Sequence, residues 1–170
     1  MAGLMDELIS ILEQECSDYE NLTEMSKEKT PVIIKGDISR LQEITEQEQI
    51  ITSRIQNLEK KRLGVVNDIA IVISRDSKEL TIDNLVKVLE KQPEEQKRLR
   101  DIQVKLREVL KEMAKVNEEN EILLKQSLEM VEFDLELFKS LRQAPQTANY
   151  NKNAYNTGTL LGGNGFDTKQ

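Results

Sequence analysis

The sequence predicts an all-α fold: an elongated antiparallel three-helix coiled-coil bundle with one short extra helix and a flexible C-terminal tail. Three observations carry this. Apolar residues recur at steps of three and four along most of the chain. Proline and glycine fall at a few places that separate long helical stretches, and residues 94–142 contain neither. Tryptophan is absent and aromatic residues make up 4%, so the 38% hydrophobic content is mostly aliphatic and suits helix packing.

The first helix is expected from about Leu4, with Leu8, Ile11, Leu12, Tyr19, Leu22 and Met25 on one face. Pro31 either kinks it or ends it near Thr30. A kink is favoured, because Val32, Ile33 and Ile34 read as buried and a stronger stop follows at Lys35 and Gly36. Gly36 suits the left-handed position past a helix end, and Asp37 can cap the next helix. That second helix should span about 38–74. Its seam reads Leu41, Ile44, Glu48, Ile51, Ile55, Leu58, Arg62, Val65, Ile69, Val72.

Glu48 and Arg62 are charges on this otherwise aliphatic stripe. Their separation is about 21 Å along a helix axis, too far for them to pair with each other. Either their stems run along the seam edge with the charges in water, or each meets an opposite charge on a neighbouring helix and helps set register. Residues 75–80 read as a polar connection. Thr81 can cap a short helix over 82–90, with Leu80 and Leu85 as a hydrophobic staple.

The longest helix is expected over 93–142, opened by Pro93 with Glu94 and Glu95 at the positive end of its dipole. At ~1.5 Å per residue it measures roughly 70 Å, too long to stand without other helices against its apolar stripe. The stripe runs Leu99, Ile102, Leu106, Val109, Met113, Val116. At Asn120 the register changes, and Leu124, Leu128, Val131, Leu135 and Phe138 continue it after two steps of four. This second seam is a candidate partner surface. A seam position at Asn120 implies that Asn120→Leu should not lower stability. Residues 1–142 thus form the helical part. Residues 143–170 hold Pro145, four glycines and many Asn and Thr, and are expected to stay disordered in solution. Tyr150, Tyr155, Leu160, Leu161 and Phe166 within them suggest a short recognition peptide.

Composition narrows the chemistry. The net charge of −7 argues against nucleic acid and against adhesion to anionic membranes. No apolar run approaches the ~18 residues of a membrane span. The start Met1, Ala2, Gly3 carries neither a basic nor an apolar leader, and one cysteine, Cys16, suits a reducing compartment. A cytoplasmic location is the expectation. Histidine is absent, so no Ser/His or Cys/His nucleophile pair exists. No catalytic residue, metal site or cofactor is expected. Gly162, Gly163, Asn164 and Gly165 lack the following lysine and helix of a phosphate loop.

Beyond this, particular residues resemble a known family. Leu8, Leu12, Glu15, Tyr19 and Leu22, then Lys29, Gly36, Asp37, Leu41 and Glu48, then Leu58 and Arg62, resemble the first half of the FlgN family of flagellar type III export chaperones. Asn117, Asn120, Leu123, Leu124, Ser127 and Leu128 resemble its other signature, and Ala154 to Gly158 is similar to the tyrosine-containing peptide that often closes such chains. The resemblance implies a chaperone of hook-associated, hook-filament junction proteins. It would keep their terminal helices from aggregating and hand them to the export gate. It places client binding on Leu124, Leu128, Val131, Leu135 and Phe138 and gate docking on Tyr155. It leaves Glu48, Arg62, Asn117 and Asn120 as structural polar positions. A weak homodimer is compatible with it. The competing expectation from pattern alone is a generic helical scaffold or adaptor that self-associates.

Overall fold

A computed structural model describes residues 2–148, with side chains from residue 3 to residue 143. The described residues form four α-helices, α1 (Ala2–Lys35), α2 (Ile38–Ile73), α3 (Ile82–Val88) and α4 (Pro93–Ala148). Turns of 3-10 helix at Ser77–Glu79 and Leu89–Lys91 flank α3. Packing divides the chain into two units, Met1–Leu124 and Lys125–Gln170.

The punctuation residues act as their chemistry dictates. α1 runs through Pro31, which removes one ladder hydrogen bond without stopping the helix. It ends where Gly36 adopts φ 71°. The Gly36 amide then donates to the Ile33 carbonyl at 3.1 Å, and the Asp37 amide to the Val32 carbonyl at 3.2 Å. These two hydrogen bonds close the helix end around a residue without Cβ strain. Asp37 accepts from the Arg40 amide at 3.0 Å and starts α2 at once. Thr81 caps α3 through the Asn84 amide at 3.2 Å, with Leu80 and Leu85 both buried beside it. α4 does not end at Arg142. It continues through Pro145 to Ala148, a second case of a proline tolerated inside a helix.

Ion pairs show how the first unit is arranged. Glu15 pairs with Arg62, Asp18 with Arg54 and Lys29 with Glu48, so α1 and α2 run antiparallel. Asp6 pairs with Arg98, Glu20 with Lys105 and Lys27 with Glu112, so α4 runs parallel to α1. The turn through α3 reverses the chain between α2 and α4. The core gathers Met5, Leu8, Ile9, Leu12 and Cys16 from α1, with Leu58, Val65 and Ile69 from α2. Leu85 and Leu89 close one end, and Leu99, Ile102 and Leu106 complete it from α4. Each such aliphatic side chain contributes roughly 1.5–3 kcal/mol by leaving water.

Two apolar positions expected inside are outside. Val72 is 56% and Ile34 68% exposed, while Ala70 and Ile33 are buried. A strict seven-residue repeat drifts by about 20° per heptad on a straight helix, so the last seam position of α2 rotates off the buried face. Around Pro31, Val32, Ile33 and Ile34 are neighbours on a helix and point to different sides, so one of them takes the core position.

The charges on the α2 seam are partnered rather than trailing in water. The Arg62 Nε donates to Glu15 Oε1 at 3.1 Å, and Lys29 Nζ donates to Glu48 Oε2 at 3.0 Å. The Glu15 side chain is 6% exposed. Burial pushes its pKa above the usual carboxylate value, with Arg62 opposing the shift. A raised carboxylate pKa in the fold means stability falls as pH rises through it, so this pair specifies register at a cost. Arg62→Met alone should destabilise by roughly 2–3 kcal/mol, below a fully buried pair because the guanidinium is 30% exposed. Arg62→Met with Glu15→Leu should recover that loss in urea unfolding. A second expectation concerns Ser74, which ends α2 at φ 53°, a conformation that favours glycine. Ser74→Gly should raise stability by about 0.5–1 kcal/mol in the same assay.

Candidate partner-binding site

The seam positions of α4 split into two environments. Up to Val116 they are core: Leu99 is fully buried, and Ile102, Leu106 and Val116 nearly so. The core then turns polar. Asn120 is 4% exposed. Its Oδ1 accepts from the Thr30 hydroxyl at 2.7 Å, and its Nδ2 donates to the Ser26 carbonyl at 2.7 Å. One turn earlier, the Ser26 hydroxyl donates to Asn117 Oδ1 at 2.8 Å. Ser26 and Thr30 lie on one face of α1 at i, i+4, and Asn117 and Asn120 meet them at i, i+3. The register change at Asn120 is therefore a polar clasp between α1 and α4, and Leu124, half-buried, ends this unit.

In the second unit, taken by itself, the helix carries its apolar side chains outward. Leu128 is 64%, Val131 54%, Leu135 55% and Phe138 61% exposed. Contiguous apolar side chains exposed in this way are uncommon on a folded chain. The single seam read from the sequence leaves out a second row, roughly 135° farther around the helix. Met130, Phe133, Leu137 and Leu141 are exposed as well and form this second row, at steps of three and four. That spacing is itself present in the sequence and is the signal that would find it. The expected docking residue Tyr155, with Tyr150, Leu160, Leu161 and Phe166, lies outside the described residues.

Of the open clefts in the first unit, two adjoin Tyr19. One of about 360 Å³ is lined by Tyr19, Arg62, Ile82 and Leu106 among others. The other, about 370 Å³, is bounded by Tyr19, Glu48, Ile55 and Met113. Burial raises the pKa of the Tyr19 phenol above its ordinary value. Among the described residues no cluster of His, Cys, Asp or Glu could hold a metal ion, and no helix is long and apolar enough to cross a membrane.

The clasp changes what Asn120→Leu should do. The substitution removes both partners' hydrogen bonds and leaves the Thr30 hydroxyl and the Ser26 carbonyl facing a methyl group, so it should cost about 1–2 kcal/mol rather than nothing. The midpoint of urea unfolding measures this, and Thr30→Val combined with Asn120→Leu should recover part of the loss.

Compared with known proteins, the chain matches the FlgN protein family over residues 1–158. No curated protein and no solved structure matches it significantly. The match covers all four helices and also the peptide that contains Tyr155. Asn117 and Asn120 of the clasp, Gly36 and Asp37 of the α1–α2 turn, and the Glu15–Arg62 pair are among the residues that resemble the family in sequence. The chain belongs to the FlgN family of flagellar export chaperones.

Proposed function

We propose that this chaperone binds hook-filament junction proteins through the outward apolar rows of residues 124–141 and delivers them to the type III export gate in the cytoplasm. One observation carries the reading: eight large apolar side chains, Leu128, Met130, Val131, Phe133, Leu135, Leu137, Phe138 and Leu141, are each at least about half exposed on one helical segment. A helix that buries its stripe over its first half and presents it over the second suits an amphipathic client helix. The clients are the terminal helices of hook-associated proteins, which would otherwise expose the same kind of surface to one another. The first unit, packed as an antiparallel coiled-coil bundle, acts as the folded base. Tyr155 serves the gate, and a weak homodimer through the client face forms when no client is present. The family match extends past Tyr155, which supports a role for that peptide.

The reading separates two surfaces, so its test does too. Leu128→Asp or Val131→Asp should reduce co-purification of hook-associated proteins by more than tenfold while the thermal midpoint moves little, because both residues are exposed already. Tyr155→Ala should leave client binding and the melt unchanged and lower export in a motility or secretion assay. If Leu128→Asp unfolds the protein in step with lost binding, this face is core. If the chain is a constitutive oligomer that captures no hook-associated protein, it is a scaffold instead.

A further inference from the structure

We propose that the outward face of α4 over residues 97–115 is a docking surface for an acidic helix of a partner protein. Lys97, Arg100, Val104, Arg107, Lys111 and Lys115 are all exposed. Their steps of three and four place them in a single row on the side of the helix away from Leu99, Ile102 and Leu106. The row is ~27 Å long at 1.5 Å per residue. It holds five cations, with the exposed carboxylates Asp101 and Glu108 one position to its side, in a chain of net charge −7.

The same helix supplies the contrast. Arg98 and Lys105, which flank α1, are matched by Asp6 at 3.0 Å and Glu20 at 2.8 Å. On the outward row, Arg107 touches only Asp83, at 3.8 Å. Lys97, Arg100, Lys111 and Lys115 make no ion pair among the described residues. An ordinary solvated helix face alternates charge signs at i, i+4. A face with five cations against the two carboxylates Asp101 and Glu108, at coiled-coil spacing and with a small apolar residue at Val104, matches a helix that brings carboxylates at the same spacing. A bilayer is a poorer fit, because the row has one apolar side chain to insert and the chain as a whole is repelled by anionic lipid. The surface is separate from the apolar rows of residues 124–141 and does not depend on the client reading.

The test uses the full chain and a fluorescein-labelled synthetic helix with leucine and glutamate at three-and-four spacing and alanine elsewhere. A lysine version serves as control. Anisotropy titrations at about 50 and 200 mM salt should give binding of the glutamate helix alone, weakening at the higher salt. Arg100→Glu with Lys111→Glu should weaken it more than tenfold at an unchanged circular dichroism spectrum. Lys61→Glu, an exposed cation on α2, should stay within twofold. Equal binding of the two peptides, or an equal loss with Lys61→Glu, overturns the proposal. Stronger binding to phosphatidylglycerol vesicles or to a single-stranded oligonucleotide than to the glutamate helix overturns it too. So does salt-sensitive dimerisation removed by the double variant, which would assign the face to a second copy.

Discussion

Everything in the first unit depends on α1 burying charge. Glu15 and Asp18 are each 5% exposed, in a helix whose neighbouring positions Leu12 and Cys16 are core. A carboxylate in that setting is tolerable only with a cation in reach. Arg62 supplies one, and Arg54 grips Asp18 through both its Nε and Nη2. Farther along, the polarity reverses, with Lys29 on α1 meeting Glu48 on α2. Acid on α1 toward one end and base toward the other can be satisfied by α2 in one direction and one register. A slip by one turn would strand at least two buried charges, and each stranded charge costs more than a shifted aliphatic seam returns. Leucines alone would not discriminate so well, since one aliphatic seam fits another at several offsets.

Much of this is legible in the sequence, and the reasons differ by element. Gly36 with Asp37 and Thr81 with Leu80 are local signals, and local geometry decides them. The aliphatic seams of α2 and α4 are readable because their spacing repeats for many turns. Glu48 and Arg62 stand out as exceptions, but their partners Lys29 and Glu15 are distant in sequence and belong to α1. No periodicity announces a tertiary ion pair. Asn120 marks the change of register in the sequence too, yet its worth lies in Thr30 and Ser26, which only packing brings near. The end of α4 falls later than expected because Pro145 resembles a stop signal, and the helix absorbs it as it absorbs Pro31.

The contrast within α4 has a physical logic. A stripe of leucine and isoleucine is stable against α1 and α2, and an equally apolar stripe left in water invites aggregation. The net charge of −7 opposes that hazard, because like-charged copies repel one another. Buried Asn120 sits just where core gives way to exposed seam. A polar group there ends the apolar continuity of the first unit's seam.

Cys16 gives the core a built-in clock. It is the sole thiol in the chain, 1% exposed, and packed beside Leu12 in the shared core. Burial raises its pKa, so the reactive thiolate is scarce as well as shielded. Alkylation must wait for α1 to part from its neighbours. The rate at which a small maleimide consumes this thiol therefore counts opening events of the bundle directly, without a probe added to the surface.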